Sequence, residues 1–116
     1  MSLRIAAADL GKSSAKLITG SCEGGAVVVD SSAVIEHEGS PLEVFAGWYR
    51  DQEIGGFAAL GVTGLFADEI TAPALSGLPE DACLEAALAL APELVGPVNL
   101  LSVGARGYAV LVRDAQ

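Results

Sequence analysis

Residues 3–19, LRIAAADLGKSSAKLIT, contain two short apolar runs on either side of a polar turn. The runs Leu3–Ala8 and Ser14–Thr19 are too short for two helices, and their apolar residues alternate with a period of two. This pattern predicts a β-hairpin with Asp9-Leu10-Gly11-Lys12-Ser13 at its tip. The remainder of the chain can be interpreted as further elements that build a sheet around this hairpin.

The predicted tip has the chemistry of a phosphate-binding turn. Gly11 allows the backbone to approach a ligand closely, Lys12 adds positive charge, and the main-chain N–H groups and the Ser13 and Ser14 hydroxyls can donate hydrogen bonds. Asp9 ends the first predicted strand, where its carboxylate could hold Mg²⁺ through water. Because lysine and serine are also ordinary turn residues, a plain polar hairpin tip is the alternative interpretation.

The composition is that of an acidic chain of one-domain length. Of its 116 residues 52% are hydrophobic, and 15 acidic against 6 basic residues give a net charge of −9. This charge argues against nucleic acid or an anionic membrane as a partner, although a local phosphate site is compatible with it. Uninterrupted apolar runs stay below about 18 residues, so no membrane span is predicted. We expect a cytoplasmic protein.

The few residues that could ligate a metal or form a nucleophilic site are scattered. Cys22 and Cys83 have no zinc-ligand spacing, and in a reducing compartment both are expected to be free thiols. His37 is the single histidine of the chain, and its place in a predicted loop indicates a solvated side chain without a role.

Turn signals divide the rest of the chain into strands and two helices. Gly24-Gly25 predicts a tight turn, and Ser40, Pro41 and Glu43 predict a helix that begins with a capping box. Aromatic residues at helical spacing in that helix are expected in the core. The predicted elements are strands over Ala26–Ile35, Phe57–Thr63, Val98–Val103 and Tyr108–Val112, helices from Ser40 to Gly55-Gly56 and from Pro79, and a loop over Leu65–Gly77.

The first hairpin and the order of the elements resemble the actin/Hsp70/sugar-kinase ATPases. Within that superfamily the chain is most similar to the BadF/BadG/BcrA/BcrD group, which includes the activator ATPases of 2-hydroxyacyl-CoA dehydratases and benzoyl-CoA reductases. Those proteins open with an Asp-x-Gly-Ser-Thr-type loop followed by a lysine. The matching residues here are Asp9, Gly11, Ser13, Ser14 and Lys16, and Gly61-Val62-Thr63-Gly64 resembles the family's later Thr-Gly step.

The resemblance implies an α/β, ribonuclease H-like (actin-like ATPase) lobe. Its mixed sheet would have the order β-β-β-α-β-α-β with an extra terminal hairpin strand, and its helices would pack on the sheet. The implied ligands are ATP and Mg²⁺, with Asp9 as the catalytic residue that assists the metal. The implied nucleotide-binding residues are Gly11, Lys12, Ser13, Ser14 and Lys16, joined by Gly104 and Arg106 from a second turn on the same edge of one sheet.

The second turn, Ser102-Val103-Gly104-Ala105-Arg106-Gly107, departs from the family pattern Asp-x-Gly-Gly-x-Asp. Ser102 and Gly107 stand where acidic residues would surround Mg²⁺ and the attacking water, which argues against hydrolysis by this lobe alone. We expect residues 1–116 to form a single N-terminal lobe of a longer protein, completed by a second ATPase lobe or a partner protein. A non-catalytic interaction or scaffold module on the same fold is the alternative.

Overall fold

A computed structural model describes residues 2–90, 98–104 and 107–113 of the chain. The chain forms two compact units, Met1–Gly77 and Leu78–Gln116. The first unit contains the predicted hairpin, and the second contains the C-terminal helix and hairpin.

The first unit is built on a mixed five-stranded sheet. Its strands follow the spatial order β3-β2-β1-β4-β5, with β1 and β2 and β2 and β3 antiparallel and with β4 parallel to both β1 and β5. The elements are β1 (Ser2–Leu10), β2 (Ser14–Glu23), β3 (Ala26–Glu36), α1 (Pro41–Asp51), β4 (Ala59–Thr63) and β5 (Leu75–Gly77), with 3₁₀ turns at Ile54–Gly56 and Ala67–Glu69. The predicted hairpin and mixed sheet are therefore confirmed.

The period-2 alternation of the sequence separates the two faces of this sheet. One face carries the buried core, and directly paired residues share a face, so Ala8, Leu17 and Val62 lie side by side across three strands. The helix α1 and the segment after it complete this core. Its buried members are Ala6, Ala8, Leu10, Ala15, Leu17, Phe45, Ile54, Phe57, Leu60 and Val62.

The β2–β3 connection has the tight turn that the glycine pair predicts. Gly24 and Gly25 both have positive φ, +59° and +83°, as a two-residue hairpin loop requires. A β-bulge between Thr19 and Gly20 then shifts the register of the two strands by one residue. This shift determines which residue after β3 reaches the tip of the first hairpin.

The helix α1 begins where it is predicted, but the predicted capping box is wrong. The Ser40 side chain makes no capping hydrogen bond. The Ser40 N–H, which Glu43 would have to accept in a capping box, donates instead to the His37 carbonyl at 2.8 Å. The helix also ends earlier than expected, at Asp51, and Gly55 and Gly56 lie in the following 3₁₀ turn.

The aromatic residues of α1 pack as the helical spacing predicts. Phe45 is buried in the core, and Trp48 and Tyr49 pack against it with ring centroids 5.6 and 5.8 Å from the Phe45 ring. These contacts bury one face of the helix against the sheet.

The segment after β4 contains a strand that the sequence pattern does not predict. The range Leu65–Gly77 was expected to be a loop, yet Leu75–Gly77 pairs in parallel with β4. Three residues ending in glycine are too few to display an alternation. The segment Leu75–Gly77 is a strand because it pairs with β4, not because of a pattern in its own sequence.

The second unit has a helix, α2 (Glu80–Leu90), and an antiparallel pair, β6 (Val98–Gly104) and β7 (Gly107–Arg113). These elements agree with the predicted ones. We expected the terminal hairpin to extend the mixed sheet, but in the described residues β6 and β7 form a separate two-stranded sheet.

Two further expectations concern the thiols and the membrane. Cys22 and Cys83 are both free, as predicted, and both are half-buried. Among the described residues, no helix combines the length and the apolar character that crossing a bilayer demands.

The burial of Leu17 gives a direct test of the core. Leu17→Ala should lower the free energy of unfolding of the first unit by about 2–5 kcal/mol, because Leu17 is 2% exposed and truncation leaves a cavity. Urea unfolding followed by the fluorescence of Trp48, the single tryptophan, measures this. Val34→Ala, at a residue 70% exposed, is the control and should cost less than about 0.5 kcal/mol. Equal losses in both variants would contradict the assigned core face.

Candidate phosphate-binding site

Three polar side chains form a row at the edge of the sheet where β1 and β4 end. Asp9 pairs with Thr63 of the parallel strand β4 and with Lys16 of the antiparallel strand β2. Directly paired residues point to the same face, so all three lie on the face opposite the core. Asp9 and Thr63 are half-buried, whereas Lys16 is exposed. The row therefore places one carboxylate between a hydroxyl and an ammonium group.

The hairpin tip stands directly beyond this row. The Gly11 N–H donates to the Ser14 carbonyl at 3.0 Å and closes the turn. Lys12 and Ser13 are exposed, and they lie outside both strands, so their main-chain N–H groups are not part of the β1–β2 ladder. A Cβ atom at Gly11 would lie 3.1 Å from the Ser14 carbonyl oxygen, so the tip is closely packed at this position.

Gly64 fixes the loop after β4 against the end of β1. Its φ is +100°, and a Cβ atom here would lie 2.5 Å from the Leu10 carbonyl oxygen and 2.7 Å from Oδ1 of Asp9. Only glycine satisfies both constraints. The Phe66 N–H then donates to the same Leu10 carbonyl at 3.4 Å. The Thr63-Gly64 step thus lies against Asp9.

His37 corrects the expectation of a solvated loop histidine, since it is only 4% exposed. Its Nε2 forms a 2.8 Å hydrogen bond with the Gly11 carbonyl, and its main-chain N–H donates to the Ser13 carbonyl at 3.1 Å. The Gly39 N–H donates to Nδ1 at 3.2 Å, and the ring packs edge-on against Phe66. His37 therefore connects the hairpin tip to the loops after β3 and β4.

A β-bulge explains why the contacts of His37 do not follow from the sequence pattern. Counted from the Gly24-Gly25 turn with regular pairing, Glu36 would face Ser13. The bulge at Thr19/Gly20 moves the register by one residue, so that Glu36 pairs with Ser14 and His37 follows beside Ser13. One signal was available in the sequence. Because β2 and β3 form a hairpin, the residues that follow β3 must lie beside the residues that precede β2, which are those of the tip.

The residues expected from the second turn belong to the second unit. Gly104 ends β6 in the second unit, where it pairs with Gly107. Arg106 lies outside the described residues. The first unit thus brings together Asp9, Gly11, Lys12, Ser13, Ser14 and Lys16, with Thr63, Gly64 and His37 added by the structure.

The donor set fits a magnesium ion shared with a phosphate better than one held by the protein alone. Among the described residues, no group of three or more His, Cys, Asp or Glu side chains is arranged to hold a metal. Mg²⁺ in phosphate sites commonly takes one or two carboxylates, with waters and phosphate oxygens completing its shell. Asp9 alone meets that requirement.

Comparison with known structures identifies the class of fold. A crystal structure of the Aquifex aeolicus Ppx/GppA family member aligns with a TM-score of 0.67 at 10% identity, covering 99% of this chain and 48% of that one. An Aquifex aeolicus PPX-GPPA enzyme gives 0.68 at 11% identity, covering 99% and 50%. The type II variant of the Aquifex aeolicus Ppx/GppA phosphatase gives 0.67 at 11%, covering 97% and 49%.

The chain is therefore an α/β lobe with the actin-like ATPase fold, consistent with the ribonuclease H-like lobe expected. It spans about half the length of these structures. At 10–11% identity the comparison shows the fold, and it does not support the narrower BadF/BadG/BcrA/BcrD assignment. By sequence, no protein-family profile matches the chain. No curated protein matches it either.

The close contact of Gly64 predicts a localised effect of substitution. Gly64→Ala should destabilise the first unit by about 1–3 kcal/mol from backbone strain alone and displace Asp9 and Leu10. Urea unfolding and ¹H–¹⁵N amide shifts measure the two effects. Gly56→Ala is the matched control, because a Cβ atom there would meet no atom within 4 Å. Unchanged Asp9 and Leu10 amides in Gly64→Ala would contradict the packing described.

Proposed function

We propose that this chain is the nucleotide-binding lobe of an actin-like ATPase of the BadF/BadG/BcrA/BcrD type, with the phosphates held by the first hairpin tip. The observation that supports it most is the convergence of Asp9, the Lys12-Ser13 turn and the Thr63-Gly64 step at one edge of the sheet. Ligands of open α/β sheets commonly bind outside the carboxyl ends of the strands.

Each residue at this edge has a distinct role in the proposal. The N–H groups and hydroxyls of Gly11, Ser13 and Ser14 donate to phosphate oxygens, and the Lys12 ammonium balances their charge. Lys16, on the same face as Asp9, adds a second cation. Their combined positive charge offsets, at this one place, a chain whose net charge is −9.

Asp9 holds the metal side of the site. Its carboxylate would hold a Mg²⁺ through water, and Thr63 lies beside Asp9 in register. When bound, the metal supplies charge neutralisation between the phosphates. Contact with the Gly64 backbone restricts the position of the Asp9 side chain.

Binding without hydrolysis is the activity we assign to this lobe. Ser102 and Gly107 replace the carboxylates that the resemblance would require around the attacking water. The resemblance also assigns Gly104 and Arg106 of the second turn to nucleotide binding, and in this proposal a second lobe or a partner protein closes the cleft. The chain spans about half the length of its structural neighbours. We expect such a protein in the cytoplasm, without nucleic acid or membrane as partner.

The loss of these two carboxylates also favours a second candidate function. A scaffold or interaction module would keep the fold and the core while its second turn lost the chemistry. Nucleotide binding at the first tip distinguishes the two candidates.

Titration with Mg-ATP, followed by amide shifts, tests the proposal. Gly11, Lys12, Ser13 and Ser14 should shift together with Gly64, and Asp9→Ala should remove the dependence of binding on Mg²⁺. Lys12→Ala should weaken binding about tenfold, because it removes a charge-assisted hydrogen bond. Arg50→Ala, which removes an exposed cation in α1, is the matched control and should leave affinity within about twofold.

Two results would reject nucleotide binding at the tip. One is the absence of shifts at Gly11–Ser14 with millimolar Mg-ATP. The other is an equal loss of affinity in Lys12→Ala and Arg50→Ala, since this would attribute binding to net charge rather than to the turn.

A further inference from the structure

The contacts of His37 determine where its ring proton lies. The Gly39 main-chain N–H can only donate, so Nδ1, 3.2 Å away, accepts and carries no proton. The Gly11 carbonyl can only accept, so Nε2, 2.8 Å away, carries the proton and donates it. These two contacts therefore assign the ring proton of His37 to Nε2.

The same contacts orient the turn. The Nε2–H bond holds the Gly11 carbonyl toward the His37 ring, and this ring packs against Phe66, which borders the core. In a trans peptide the carbonyl of one residue and the N–H of the next point in opposite directions. The Lys12 N–H consequently points away from the His37 ring. Asp9, Lys16 and Thr63 lie on the face of the sheet opposite the core that Phe66 borders.

We propose that His37 is a positioning residue of the phosphate-binding turn, because its Nε2–H bond to the Gly11 carbonyl directs the Lys12 N–H toward the ligand. The identity of the ligand, a nucleotide phosphate, rests on the proposed function. The orientation of the Gly11–Lys12 peptide by His37 can be tested in the ligand-free protein. The ring does not touch the phosphate. It acts by setting the Gly11–Lys12 peptide plane before the ligand arrives, so the donor needs no reorganisation on binding.

Two substitutions separate the two ring nitrogens. His37→Gln places an amide N–H where Nε2 lies and can keep the bond to the Gly11 carbonyl. His37→Asn places its amide near Nδ1 and can keep a partner for the Gly39 N–H, but it does not reach Gly11. If His37 only filled space, His37→Gln and His37→Asn would weaken ligand binding by similar amounts.

The first readout requires no ligand. The ¹³C shift of the Gly11 carbonyl and the ¹H shift of the Lys12 amide should stay near their wild-type values in His37→Gln and move in His37→Asn. Long-range ¹H–¹⁵N correlation on the wild-type ring should show the proton on Nε2. A proton on Nδ1, or equal Gly11 and Lys12 shifts in both variants, would overturn the proposal.

The second readout is affinity for Mg-ATP. His37→Gln should bind within about threefold of wild type and His37→Asn about tenfold more weakly, since the Lys12 donor is then no longer held in place. Urea unfolding followed by Trp48 fluorescence shows whether both variants fold; if one does not, the ring correlation on the wild type decides. Equal affinity of the two folded variants would overturn the positioning role. If wild-type protein binds no Mg-ATP, the proposed function fails, whereas the ligand-free shifts still decide whether His37 sets the turn.

Discussion

The parallel pairing of β1 with β4 is the constraint on which the site depends. It places Asp9 beside Thr63 and brings the first hairpin tip and the Thr63-Gly64 step to the same edge of the sheet. Without it, the tip would be an isolated polar turn. The pairing is stabilised from the other face of the sheet, where Leu60 and Val62 pack with Ala6 and Ala8 in the core.

The contacts at this edge form a connected set. Gly64 leaves no room for a side chain against Leu10 and Asp9, Phe66 bonds to the Leu10 carbonyl, and His37 links Phe66 to the turn. A change in any of these residues should therefore be felt at the tip. Such mutual support lets a site hold a defined geometry although Lys12, Ser13 and Lys16 are exposed.

Local sequence patterns predicted most of the strands and helices. The short strand β5 and the contacts of His37 depend instead on long-range pairing between strands. The Leu3–Thr19 alternation and the Gly24-Gly25 pair were sufficient for the three-stranded meander, because each signal lies within a few residues of the structure it specifies. The strand Leu75–Gly77 and the role of His37 depend on partners 15 or more residues away, namely Leu60–Val62 and Gly11. The position of His37 depends on the β-bulge at Thr19/Gly20, which no turn signal in the sequence indicates.

The part of the candidate site that is contiguous in sequence could be predicted, whereas the part that depends on distant residues could not. Asp9, Gly11, Lys12, Ser13 and Ser14 are contiguous, so one hairpin assembles them. Gly104 and Arg106 were assigned by resemblance alone, and that assignment stays a prediction. Structural neighbours at 10–11% identity share the fold with this chain, so its function has to be argued from its own residues.

In the proposed function, a metal-bound phosphate lies at the edge formed by β1 and β4. Paramagnetic broadening by Mn²⁺-ATP locates the metal directly, because Mn²⁺ takes the place of Mg²⁺ and broadens nearby amides. The account predicts selective broadening at Asp9, Lys12 and Gly64, with sharp signals from Gly24-Gly25 at the opposite end of β2. Broadening confined to the acidic start of α2, at Glu80 and Asp81, would contradict it.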